Sequence, residues 1–112
     1  MEYDYRTEKF RFLRNGCEEA FLSSEKTTYA LVGWEVVNEK TKNGIFSSKS
    51  TVEFRRDKRL GQNARYSTLS EKYLKRKKQL INADMEEYSK EMGPIVSELG
   101  ELKRQLIGDK KN

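Results

Sequence analysis

Histidine is absent from the 112 residues, and cysteine and proline occur once each. Without histidine the chain lacks the usual general base near neutral pH. It can build neither a Ser-His-Asp nor a Cys-His arrangement, and it is without the commonest metal ligand. The lone Cys17 forms no intrachain disulfide and no Cys-rich zinc site. It reads as a small buried thiol, a common fate of free cysteine. A single thiol suits a reducing compartment. Long apolar runs are missing too: no stretch reaches the roughly 18 residues that span a bilayer. Met1-Glu2-Tyr3-Asp4 is not the opening of a secretory signal. The expectation is a soluble, cytoplasmic protein. Glu18 with Glu19 and Glu86 with Glu87 are adjacent carboxylates, and sequence neighbours point to different sides rather than converging on a substrate. Gly33, Gly44 and Gly61 lack the spacing of a phosphate loop. The chain therefore reads as a non-enzyme with no catalytic, cofactor or metal site.

What the chain has in quantity is charge. Charged residues make up 37% and hydrophobic ones 35%, which limits it to one thin core. Residues 1–57 hold ten basic and ten acidic side chains and sum to zero. Residues 58–78 hold eight basic residues against Glu71 alone, and residues 79–112 hold five basic and seven acidic. The net charge of +5 is thus concentrated in one segment, where the pattern also changes from strand-like to helical.

Tyr3 to Leu13 alternates, with Tyr3, Tyr5, Phe10 and Phe12 set among charged residues, as in a half-buried strand. Asn15-Gly16 then turns the chain. Cys17–Thr28 supports two readings. Glu18 and Glu19 followed by Ala20, Phe21 and Leu22 suit a short helix, whereas Asn-Gly also favours a hairpin and a strand over Cys17–Leu22. Tyr29–Val37 ends in a strand, Lys42-Asn43-Gly44 turns, and Ile45–Arg56 returns as a second strand in which Val52 and Phe54 alternate with Thr51, Glu53 and Arg55. That pair is an antiparallel hairpin. Phe10, Phe12, Phe21, Trp34, Val36, Val52 and Phe54 form the expected core.

Phe21-Leu22, Gly33-Trp34-Glu35-Val36-Val37 and Val52-Glu53-Phe54-Arg55-Arg56 together resemble small bacterial domains of unknown function. Those domains have a Gly-Trp-Glu-(Leu/Val)-Val strand start and a closing strand ending in Phe/Leu-x-Arg. The resemblance covers roughly residues 3–58 and implies a compact βαββ unit. It also implies that Gly33 caps the helix or turns the chain into the strand, and that Trp34 packs helix against sheet. The sequence departs from the pattern at Ser23–Thr28, which is polar and β-branched where an amphipathic helix belongs. The family brings no established activity.

Downstream, residues 58–67 read as a basic connector, Asp57–Asn63 being its glycine-containing start. Thr68-Leu69-Ser70-Glu71 has the form of a capping box, and nothing breaks a helix from there to Met92. Gly93-Pro94 interrupts, Pro94 opens a second run, and Gly108 stops it. The interruption is either a kink in one helix or the corner of a helical hairpin; residues 109–112 form a tail. Leu74, Lys78, Ile81, Met85, Tyr88, Met92, Ile95, Leu99, Leu102 and Leu106 follow a 4-3 spacing throughout, a heptad seam polar only at Lys78. The seam points to helix pairing within or between chains, ahead of simple docking on the N-terminal sheet.

The fold class expected is α+β: a small antiparallel sheet, βαββ or a four-stranded meander, followed by one kinked or two C-terminal helices. The leading function is a protein-interaction or oligomerisation module working through the helix seam, by self-association or with a partner protein. The alternative is nucleic-acid binding through segment 55–78, with Arg55, Arg56, Lys58, Arg59, Arg65, Lys72, Lys75, Arg76 and Lys77 as candidate phosphate contacts and Tyr66 and Tyr73 among them. A membrane surface ranks below both, because the basic stretch lacks the broad apolar face of an inserted helix.

Overall fold

A computed structural model describes residues 2–108; the 109–112 tail lies outside the described residues. The fold is α+β. Strand β1 (Tyr3–Leu13) leads to helix α1 (Glu18–Leu31), strands β2 (Glu35–Asn43) and β3 (Ser47–Asp57), and helices α2 (Lys58–Gln62), α3 (Ala64–Gln79) and α4 (Met85–Ile107). The three strands form one antiparallel sheet in the order β1-β3-β2. Its even-numbered β3 residues, Ser48, Ser50, Val52, Phe54 and Arg56, are all buried beneath the helices. The odd-numbered face is open to solvent.

Cys17–Thr28 resolves as helix, so the meander alternative falls away and the element order is β-α-β-β. Gly16 takes φ +87°, and the Gly16 N–H donates to Glu18 Oε1. That contact, with the chain's first-turn N–H groups, holds the Glu18 carboxyl below its usual range. Cys17 sits at the N-cap without a side-chain cap bond, and it is exposed, not buried, because the helix starts at the domain's rim. The polar stretch is held as helix by burial of Leu22, Thr28 and Tyr29 on one face, and Thr27 and Thr28 donate their hydroxyls to the Ser23 and Ser24 carbonyls one turn back.

The helix ends in a Schellman motif: Trp34 N–H donates to the Tyr29 carbonyl and Gly33 N–H to the Ala30 carbonyl. The motif needs a left-handed residue, and Gly33 supplies it with φ +91°. Trp34 is thereby turned into the core, and the Tyr29 ring stacks on Phe54 with centroids 4.8 Å apart. Of the expected core, Trp34, Val52 and Phe54 are buried, Phe10 and Phe12 are half-buried, and Phe21 and Val36 are exposed. Phe21 lies at the rim against Phe12, centroids 5.5 Å apart. Val36 lies on the edge strand β2, of which only Glu39 is even partly buried. A bulge at Val37 shifts β2's register between Val36 and Asn38.

The C-terminal half departs further from expectation. The connector is ordered: α2 is capped by Asp57, buries Leu60, and gives way at once to α3. Asn63 caps α3 by accepting from the Tyr66 N–H. Thr68-Leu69-Ser70-Glu71 is therefore not a cap but helix interior, and the Ser70 hydroxyl bonds the Tyr66 carbonyl instead. The helix breaks at Leu80, and the next begins at Met85 with Asp84 accepting from the Glu87 N–H. The corner of the hairpin is thus residues 80–84. Pro94 does not open a helix; it lies inside α4 with Gly93. Both are exposed, so the bond lost to proline is at the solvent face, where the freed carbonyl is open to water. The opposite face buries Met92, Ile95 and Leu99, and tertiary packing overrides propensity.

One cluster of buried side chains spans both halves of the chain, from Leu22 in α1 to Leu99 in α4. Tyrosine contributes heavily to it. Burial pushes the Tyr29 and Tyr66 phenols up to about 12, and the Tyr73 phenol, buried beside Tyr88, is raised further. A raised folded-state value means the fold favours the neutral phenol, so the contribution is complete below the unfolded value near 10 and lost as pH climbs through the folded value. Denaturant unfolding across the alkaline range is expected to show stability falling from about pH 10 through about 12. A constant stability across that window would contradict this packing.

Candidate functional site

The heptad seam divides at the hairpin corner. Met92, Ile95 and Leu99 are buried in the core, with Leu102 and Leu106 packed against it. Arg65 grips Glu98 with two bonds of 2.6 and 2.8 Å, and Arg76 pairs with Glu91 at 3.4 Å. These pairs run in opposite directions along the two helices, so α4 folds back antiparallel on α3. Helix pairing thus occurs within the chain. The earlier seam positions do something different. Leu74 is buried and Tyr88 half-buried, but Lys78, Ile81 and Met85 face solvent, the last two at 81% and 80% exposure.

These residues line one wall of an apolar groove of about 440 Å³ between α1 and the α3–α4 corner. Phe21 and Tyr29 of α1 form the facing wall. The Lys77 ammonium binds Thr28 Oγ1 and ties α3 to α1; Lys26 pairs with Glu39 and ties α1 to β2. The groove's walls are therefore held on both sides, while its mouth carries large apolar side chains with no cover. Lys78 stands at the mouth with no ion pair among the described residues, and Glu25 is the acidic lining residue.

The nine candidate phosphate contacts of segment 55–78 do not converge. Arg55 lies on the open sheet face, paired with Glu35 and stacked 4.2 Å above the Tyr3 ring. Arg56, one residue on, points to the covered face and is buried against Trp34 at 4.4 Å. Desolvation pulls its guanidinium below the usual value. Arg59 pairs with Asp57, Arg65 with Glu98 and Arg76 with Glu91. Lys58, Lys72 and Lys75 are left without ion pairs among the described residues, and Lys77 is engaged by Thr28. Neither is either tyrosine available for stacking on a base: Tyr66 and Tyr73 are buried.

The groove was hidden in the sequence because its two walls lie some fifty residues apart. A signal for the corner was present: Asp84-Met85-Glu86-Glu87 has the cap-x-x-Glu form of a helix start. Among the described residues no helix is long and apolar enough to cross a membrane. Comparison with protein-family models, with curated proteins and with solved structures finds no match to this chain.

Proposed function

We propose that the chain is a binding module whose groove between α1 and the α3–α4 corner receives an amphipathic helix of a partner protein, one carrying acidic residues beside its apolar anchors. The observation that carries this reading is the pair Ile81 and Met85, about four-fifths exposed at the mouth of an otherwise walled apolar groove. Large apolar side chains left in water around a concavity mark a protein-binding surface, and methionine and aromatic linings suit a helix laid in by its apolar face. The lysines at the rim favour acidic flanks on the ligand. They also disfavour a second copy, because a two-fold contact sets the same patch against itself and brings like charges together. Nucleic-acid binding through segment 55–78 draws less support, since its arginines are paired or buried. The motif and the β-α-β-β order support kinship with the Gly-Trp-Glu domains, a kinship that bears on fold alone.

The test is selection of helical peptides against the whole protein. Winning sequences are expected to share apolar anchors at i, i+3, i+4 and i+7 with acidic flanks. Their affinity should fall at least roughly tenfold for Ile81→Glu/Met85→Glu. Peptides that bind this variant as well as the parent, or a parent dimer abolished by the same double substitution, would refute the reading.

A further inference from the structure

A second surface lies at the opposite end of the chemistry, on the open sheet face and the β2–β3 hairpin tip. The register aligns Arg11, Lys49 and Lys42 side by side across all three strands, and Lys9 and Lys40 flank Thr51 in the next row. All five cations are exposed, and among the described residues none has an ion pair. Like charges directly opposed across strands destabilise a sheet. Here three stand in one row without a carboxylate between them. Of the acidic residues of this face, Glu53 lies in the row next to Thr51, two rows from the three cations, while Glu35, occupied by Arg55, and Asp57 lie farther back.

Beyond the cation row this end of the sheet carries apolar residues. Ile45 and Phe46 at the hairpin tip are 84% and 81% exposed, and Leu13 beside them is exposed as well. The tip is held in shape: Arg14 N–H donates to the Phe46 carbonyl, and its guanidinium to the Gly44 carbonyl. Two residues along a strand advance about 7 Å. The order from the tip inward is therefore apolar side chains, then a row of three cations about 7 Å behind, then a second row of two. Interfacial apolar groups sit ~5–10 Å into the boundary between headgroups and acyl chains, and cations just above them meet the lipid phosphates.

We infer that this end of the sheet docks on an anionic membrane surface, with Ile45, Phe46 and Leu13 entering the interface and Arg11, Lys42 and Lys49 on the headgroups. The arrangement accounts together for two features that the packing of the isolated protein does not use: the unrelieved cation row and the bare apolar tip. A nucleic acid would satisfy the cations and leave the tip unexplained. Weak apolar insertion and a polybasic patch are each marginal alone and sufficient in combination.

The experiment is co-sedimentation of the whole chain with vesicles of phosphatidylcholine alone and with roughly a third phosphatidylserine, beside a single-stranded oligonucleotide as soluble polyanion. The parent is expected to sediment with the phosphatidylserine vesicles only. Arg11→Gln/Lys42→Gln/Lys49→Gln should lose roughly a hundredfold in affinity, and Ile45→Ser/Phe46→Ser at least roughly tenfold. Both variants replace exposed side chains and are expected to melt no lower than the parent, the first because it relieves repulsion. No sedimentation of the parent would overturn the inference. So would vesicle binding indifferent to Ile45→Ser/Phe46→Ser, and in that case oligonucleotide binding lost with the cations would identify the surface as one for nucleic acid.

Discussion

Gly33→Ala is expected to lower the unfolding free energy by about 2–4 kcal/mol, the sum of a left-handed backbone penalty and an overpacking penalty. The residue holds φ +91°, and a Cβ placed there meets Leu60 Cδ1 at 2.8 Å, the Tyr66 hydroxyl at 3.1 Å and Arg56 Cδ at 3.2 Å. These are core neighbours from α2, α3 and β3, so relief at one point disturbs three elements. Gly16 separates the two penalties. It has nearly the same φ, +87°, but nothing lies within 4 Å of its added Cβ. Gly16→Ala should therefore cost only the backbone part, ~1–2 kcal/mol. Equal losses for the two variants in denaturant unfolding would show that Gly33's neighbours impose no constraint.

Gly33 also marks how far local sequence reaches. The resemblance to the Gly-Trp-Glu domains implied a helix end or strand entry there, and the Schellman motif that provides it is built within six residues. The length of α1 was harder to read. Serine and threonine usually disfavour helix interiors by competing for backbone bonds, yet here the competition is resolved inside the helix, by Thr27 and Thr28 bonding one turn back. The 4-3 spacing of the C-terminal half was correctly apolar but carried no information on where the chain turned. Its phase continues across residues 80–84 by coincidence of count, and the stronger-looking breaker, Gly93-Pro94, sits on a solvent face where packing behind it holds the helix.

Charge shows the same limit more sharply. Residues 1–57 are neutral in sum, so nothing in that average draws notice. Alternation along the strands sends successive residues to opposite faces. Lys9, Arg11, Lys40, Lys42 and Lys49 gather at one end of the open face, while Glu8 and Glu39 go to the covered side and pair with Arg6 and Lys26. Conversely, the conspicuous basic run of residues 58–78 is half engaged: Arg65, Arg76 and Lys77 pin α3 to its neighbours, and Arg59 is held by Asp57. Linear density of charge predicted where cations are, and the fold decided which are free.

One heptad-spaced seam serves two purposes in this chain, lining an open groove before residue 88 and completing the domain's own core after it. Met85 and Met92 test it directly, being the same residue type one heptad apart. Met85 is 80% exposed in the first turn of α4, where a carboxylate is favoured by the helix N-terminus. Met92 is 1% exposed among core side chains, where a carboxylate would be desolvated and unpaired. Thermal and denaturant unfolding of Met85→Glu should match the parent within about 0.5 kcal/mol, while Met92→Glu should lose more than about 4 kcal/mol. Since a small domain holds only ~5–15 kcal/mol in all, Met92→Glu should bring sheet and helices close to collapse together. Comparable effects from the two substitutions, or loss of helix with the sheet intact in Met92→Glu, would contradict the account.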